Sequence, residues 1–118
     1  CLECHPFTLT DDYEVSKRYI SEVGSPFLRM YWQPNQFKSE EYNIKAASAL
    51  ADITRNIHVL HWDSEYKKYP LKEGTEIWKK YLSCFGGSHT LILEFMHDDR
   101  IESLKETAAM LISWLQKK

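Results

Sequence analysis

Short apolar runs rich in β-branched and aromatic residues alternate along the chain with longer stretches whose apolar positions recur every three or four residues. That alternation is the mark of βα units, which build parallel sheets. Four units are predicted. A first strand is expected over Cys1–His5, then a helix from Thr10 as its N-cap to Val23, stopped by Gly24 and burying Tyr13, Ile20 and Val23. A second strand over Pro26–Trp32 leads through the Gln33-Pro34-Asn35 turn to a helix over Ser39–Arg55, with Ile44, Ala47, Leu50, Ala51 and Ile53 on its apolar stripe.

The third strand is expected over Ile57–Trp62, and a polar loop containing Pro70 and Gly74 precedes a helix capped by Thr75 and ended by Gly86-Gly87. Ile77, Trp78, Tyr81 and Leu82 form its inner face. His89–Met96 is the most strand-like segment. After it, Asp99-Arg100-Ile101-Glu102 reads as a capping-box analogue opening a last helix with Leu104, Ala108, Leu111, Ile112 and Leu115 on its stripe. No low-complexity segment or internal boundary divides residues 1–118, so the chain is read as one α/β domain that starts on its first strand.

Composition narrows the function. A formal charge of −2 removes the broad basic field on which nucleic-acid binding depends, and the lysine pairs at 67/68, 79/80 and 117/118 are scattered. No stretch approaches the roughly 20 apolar residues of a membrane span. Acidic residues at 3, 11, 12 and 14 do not suit a secretory signal. Three cysteines, Cys1, Cys4 and Cys84, are too few and odd in number for a disulfide framework, so a cytoplasmic setting is expected.

In parallel α/β architectures ligands bind at the carboxyl ends of the strands. Glu94 stands out there, a carboxylate inside the apolar run Thr90–Met96, on the face shared by Ile92 and Met96. Such a carboxylate must be paired, hydrogen-bonded or metal-bound. Glu3 repeats the arrangement in the first strand. Two carboxylates with a histidine from a third strand end form the inventory of a divalent-metal site, suited to Mn, Mg, Co or Zn. His58 and His61 are three apart, so on one strand they face opposite sides and only one can be a ligand. Cys1-Leu2-Glu3-Cys4-His5 matches the C-x-x-C-H spelling of a c-type haem site, but an α/β chain without an export signal does not suit it. Nor does Cys1/Cys4 sit at a helix N-terminus, where redox pairs belong; alternation puts the two on different faces. Trp32 and Trp62 are aromatics of the kind that stack on sugars, although core packing is the commoner role, and Lys67 and Lys68 lie in the loop after the third strand.

Met30-Tyr31-Trp32-Gln33-Pro34-Asn35, Ile57-His58-Val59-Leu60-His61-Trp62, Pro70-Leu71-Lys72-Glu73-Gly74 and Leu93-Glu94-Phe95 with Asp98-Asp99 together resemble the second half of a sugar phosphate isomerase/epimerase of the xylose isomerase-like TIM-barrel superfamily. The resemblance spans essentially the whole chain. It implies four βα units with parallel strands, equivalent to the second half of a TIM (β/α)8 barrel. It also implies a metal site of Glu3, Gln33, His58 and Glu94, with Gln33 standing where relatives carry a carboxylate. Glu3 and Glu94 would exchange a proton with the substrate carbon, and Asn35, His61, Lys67 and Lys68 would be the substrate contacts.

A complete barrel takes about 250 residues, and this chain supplies about half. The expectation is therefore a C-terminal fragment, cut from a longer protein, with open sheet edges and an apolar inner face. It would self-associate or pair with a missing N-terminal half, and would be incomplete as an enzyme alone. The expected substrate is a small sugar or sugar phosphate, with neither nucleic acid nor membrane as partner. An endonuclease IV-like reading lacks the extra metal ligands and basic face. The non-enzymatic alternative is a small α/β regulatory or interaction domain of flavodoxin type, although the acidic pair and phosphoacceptor Asp of receiver domains are missing.

Overall fold

The computed structural model describes residues 1–116. Strands β1 (Leu2–Glu3), β2 (Met30–Trp32), β3 (Thr54–Val59) and β4 (Thr90–Leu93) alternate with helices α1 (Tyr13–Val23), α2 (Glu40–Leu50), α3 (Thr75–Ser83) and α4 (Ile101–Leu115). All strand pairs are parallel and the sheet order is β1-β2-β3-β4. Each crossover therefore steps to the next strand in the same direction, and because such crossovers are right-handed, the helices share one side of the sheet. The α/β class and the four βα units match the expectation. Among the described residues, no helix is long and apolar enough to cross a membrane.

The helix-facing side holds the core. Trp32, Ile57 and Val59 from the strands meet Ala47, Leu50, Trp78, Tyr81, Phe85 and Leu111 from the other elements. Trp32 packs edge-on against both Trp78 and Tyr81, and the Trp78 indole donates to the Leu60 carbonyl at 2.9 Å. Burial of this kind pushes the Tyr81 hydroxyl up to about 12. Cys4 also packs on the core, its thiol pushed up to about 12 by burial, whereas Cys1 is exposed.

Several boundaries differ from expectation, each for a local reason. The second helix stops at Leu50 and passes through a 3-10 turn (Ala51–Ile53), so Arg55 lies in β3. The Thr54 hydroxyl donates to the Leu50 carbonyl at 2.9 Å and closes the helix without the glycine or proline that usually announces a stop. In consequence β3 begins at Thr54 and ends at Val59, leaving His61 and Trp62 in the following loop. Asp12, not Thr10, caps α1, accepting from the Glu14 and Val15 amides. Ser16 takes the buried position expected of Val23, which is exposed. Thr75 is the first residue of α3 instead of its cap, and α3 ends at Ser83, before Gly86-Gly87. Asp99 does not cap α4: Arg100 stands at the N-cap without a side-chain cap bond, and Asp98 accepts from the Arg100 amide and the Ser103 hydroxyl. On α4 only Leu111 of the expected stripe is fully buried, while Leu104, Ile112 and Leu115 are exposed. The helix follows the edge strand β4 and packs against the 3-10 turn Leu71–Gly74.

The open face of the sheet is polar, not apolar as expected. Register pairs Glu3 with Tyr31, Tyr31 with Asn56, and His58 with Ile92, so Glu3, Tyr31, Asn56 and His58 stand together on the side away from the helices.

Candidate functional site

The carboxyl ends of β1, β3 and β4 bring Glu3, His58 and Glu94 together. One ligand atom from each lies within 4.8 Å of the other two. His58 Nδ1 is the centre of the group, with Glu94 Oε2 at 3.3 Å, Glu3 Oε1 at 3.7 Å and the Gln33 side-chain oxygen at 2.9 Å. In the hydrogen bond to Gln33 the ring N–H donates and the amide oxygen accepts. All four expected metal ligands therefore meet at one ring nitrogen, although no spacing in the sequence demanded it.

Local structure fixes each of them. His58 lies within β3 and is covered by Tyr31, with ring centroids 4.4 Å apart. Its side chain is only 14% exposed, against 41% for Glu3. Glu94 follows the last residue of β4, and its amide donates to the Val59 carbonyl at 3.0 Å, extending the sheet by one step. Burial holds its carboxyl above the ordinary range; His58 opposes this, and the neighbouring Glu3 carboxylate reinforces it. The Thr10 hydroxyl donates to the Glu3 carbonyl and accepts from the His5 amide, clipping the chain just beyond β1.

The donor set of two carboxylates, an imidazole and an amide oxygen fits a hard or borderline divalent cation. To bind one, His58 Nδ1 gives up its proton and Gln33 turns its oxygen from the imidazole to the ion.

Beside the cluster lies a cavity of about 310 Å³ reached by Glu3, His5, Gln33, Gln36 and Glu94. The four expected substrate contacts do not line it. Asn35 is buried and fully engaged: its amide donates to Asn43 Oδ1 at 2.7 Å, its Nδ2 to Asp11 Oδ1 at 2.6 Å, and its Oδ1 accepts from the Phe37 amide at 2.9 Å. It builds the loop after β2. His61 points toward Tyr69 and lies so close to Gly74 that a β-carbon there would come within 2.9 Å of its Nδ1. Lys67 Nζ sits 4.8 Å over the Tyr69 ring, and Lys68 Nζ binds both carboxylate oxygens of Asp99 at 2.6 and 2.7 Å.

Aromatic residues, not polar ones, make the cavity wall. Phe7, Phe37, Trp62, Tyr66 and Phe95 line it, and every loop that follows a strand supplies at least one. Phe7, Tyr66 and Phe95 all have left-handed backbones, with φ of 62°, 63° and 55°. That conformation costs a bulky residue on the order of 1–3 kcal/mol. The loop carrying Tyr66 is held by Asp63, which accepts from the Glu65 and Lys67 amides and from the Tyr69 hydroxyl. Sequence reasoning named Trp62 as an aromatic that could stack on a sugar, while favouring the core for it, and did not place Phe7, Phe37 or Phe95 at the site. Their signal was present, since Pro6-Phe7-Thr8 and Glu65-Tyr66-Lys67 put a large apolar residue in a polar loop where no helix or strand period explains it.

Comparison of the chain with family models, curated proteins and solved structures returned no match.

Proposed function

We propose that the chain is part of a metal-dependent isomerase or epimerase that moves a proton next to a carbonyl of a sugar or sugar phosphate. One observation carries this reading: two carboxylates and an imidazole from three strands converge within 4.8 Å at the carboxyl end of a parallel sheet. The strand order supports a barrel segment over the regulatory alternative, because a flavodoxin-type sheet reverses direction and this one does not.

Glu3, Gln33, His58 and Glu94 would hold the ion. A bound divalent cation supplies polarisation of the substrate's carbonyl and hydroxyl oxygens. Either Glu3 or Glu94, as the carboxylate, would remove the carbon-bound proton, and the enediolate would take a proton back from that same carboxyl or from the other one, which must then start protonated. Return to the opposite face of the same carbon gives epimerisation; return to the neighbouring carbon gives isomerisation.

β1 and β4 each keep one unpaired edge within this sheet, and α1 and α4 both carry exposed apolar residues, Val15 and Tyr19 on one and Leu104 and Ile112 on the other. We infer that a second copy or the remainder of a barrel covers them, in a cytoplasmic protein consistent with its three free cysteines. The test of the function is a Mn2+ titration of the full chain and of Glu3→Gln, His58→Gln and Glu94→Gln, followed by NMR of a ketose incubated with the protein in D2O. Tight Mn2+ binding lost in each variant, with deuterium entering the carbon next to the carbonyl, is expected. Mn2+ binding indifferent to all three substitutions overturns the reading.

A further inference from the structure

The helices that cover the sheet are not evenly packed. α1 meets α2 through Tyr13 and Tyr42, whose ring centroids lie 5.3 Å apart, and α2 is tied to α3 by Glu40 and Lys80 at 2.6 Å. Between α3 and α4 there is instead a cavity of about 450 Å³, larger than the one beside the Glu3–His58–Glu94 cluster. Ile57 and Leu91 form its floor, Leu82 and Phe85 its wall on the α3 side, and Trp114 and Leu115 its wall on the α4 side. α4 is anchored elsewhere, by Leu111 in the core and by the turn Leu71–Gly74. Floor and both walls belong to this chain, so the cavity does not depend on whatever covers the edges of β1 and β4. It also opens at the end of the sheet opposite the cluster, since Phe85 and Gly87 precede β4 and Trp114 and Leu115 end α4.

Besides the Trp114 indole, Lys79, Ser83 and His89 bring polar side-chain atoms to the lining, and each already has its partner. Lys79 Nζ is 2.7 Å from Glu76 Oε1, and the Ser83 hydroxyl donates to the Lys80 carbonyl at 2.7 Å. The His89 ring is set between the Thr54 and Gly86 carbonyls, 3.1 and 2.6 Å from its two nitrogens. A charged occupant would have to break one of these pairs or stay unpaired against apolar walls, and both are unfavourable. The charge balance of the lining therefore matches an uncharged molecule. What the cavity gives such a molecule is burial of apolar surface, with an aromatic side chain on each wall to pack on a flat ring. Apolar cavities take apolar ligands, and this volume falls within the roughly 300–1,000 Å³ of small-molecule sites.

We propose that the cavity between α3 and α4 is a second ligand site, for an uncharged fused-ring aromatic molecule that slots between the Phe85 and Trp114 sides and makes no ion pair. The inference goes beyond the proposed function and does not rest on it. Its occupant is not the substrate of the strand-end cluster, and either reading can fail without the other.

The test is a fluorescence titration of N-phenyl-1-naphthylamine with the full chain, set against 8-anilinonaphthalene-1-sulfonate, which has the same rings and adds a negative charge. Saturable one-to-one binding of the uncharged probe is expected, about tenfold or more tighter than that of the sulfonate. Ser83→Trp and Leu115→Trp put a ring at exposed positions of the lining, so each should weaken the uncharged probe by about tenfold or more. Ile112→Lys, on the exposed side of α4 and outside the lining, should leave its binding unchanged. Absence of saturable binding by the uncharged probe overturns the proposal, as does equal or tighter binding of the sulfonate, or binding that ignores both tryptophan substitutions. Loss of binding in Ile112→Lys also overturns it, because the probe would then sit on the exposed helix face. Should one tryptophan variant fail to fold, the other decides; should both fail, the sulfonate comparison and Ile112→Lys decide. Glu94→Gln separates this site from the strand-end cluster: probe binding should persist there, and its loss would place the probe at the cluster and overturn the inference. Mn2+ binding indifferent to Glu94→Gln overturns the functional reading alone.

Discussion

The two faces of the sheet are built from the same strands yet follow opposite rules. On the helix side, Trp32, Ile57 and Val59 are each about 1% exposed and belong to the apolar core cluster. One position along, Tyr31 and His58 face outward among Glu3, Gln33 and Glu94, where a carboxyl is held above its ordinary range and an imidazole is shared among three oxygens. Alternation with period two lets one strand serve both ends, stability on one face and chemistry on the other. A substitution should therefore be read first by the face it falls on.

Trp78→Ala is the hardest test of that division. The indole is 1% exposed, packs against Trp32 and Tyr81, and donates to the Leu60 carbonyl. Its loss is expected to destabilise the fold by about 3–5 kcal/mol, read from urea unfolding. Domains of this kind total about 5–15 kcal/mol, so the loss is a large fraction of the whole and would leave a domain at the lower end of that range partly unfolded. A loss below about 1 kcal/mol would mean that the helix side is not the tight core described.

Gly74→Ala comes next, with an expected loss of about 1–3 kcal/mol, because the added methyl would press on the His61 ring and only a shift of that ring or of the 71–74 turn makes room. On the open face the sign should reverse. Glu94 has a raised folded-state pKa, so the folded chain holds its proton more tightly than the unfolded chain. That contribution is present at low pH and is lost as pH rises from the ordinary carboxyl range through the raised value. At neutral pH Glu94→Gln should accordingly leave stability unchanged or slightly higher while Mn2+ affinity falls by about 100-fold or more. A variant that is both markedly less stable and undiminished in Mn2+ binding would make Glu94 a structural residue and dissolve the contrast between the faces.

How much of this was legible depended on the range over which each signal acts. The four βα units were, because hydrophobic period is a local property, and Glu3 and Glu94 stood out because a carboxylate in an apolar strand demands a partner, whereas only the family resemblance chose His58 over His61. Their meeting was implied by the resemblance alone and not by any spacing, since it depends on the register of β1 and β3, each paired with β2, and of β4 against β3. The end of α2 was missed because Thr54 closes it by a side-chain bond, a signal weaker than glycine or proline. Asn35 and the two lysines were assigned to substrate from their place in the chain, whereas Asp11, Asn43, Tyr69 and Asp99, all distant or unremarkable in sequence, claim them first. The aromatic wall, apart from Trp62 as a stacking candidate, went unassigned for the opposite reason. Each ring was read alone, and only the folding together of four loops makes them one surface.

His58 and His61 give the finest measure of the comparison, since three residues of one sequence run separate the metal cluster from the packing of the 71–74 turn. Burial lowers the His61 pKa below 6.5, with the Glu73 carboxylate only partly opposing it. The folded chain thus resists the proton that the unfolded chain accepts, and stability contributed by neutral His61 is present above about 6.5 and lost as pH falls through the window down to the depressed folded value. His61→Gln removes that titration while keeping a polar side chain of similar reach. Unfolding free energies measured from about pH 7.5 down to about pH 5 should therefore fall more steeply for the unmodified chain than for the variant, by a small margin confined to that window. The matching change on the open face, His58→Gln, is read instead by Mn2+ affinity. Parallel pH curves for the unmodified chain and His61→Gln would place His61 in solvent, and with it the loop that carries Trp62 to the cavity.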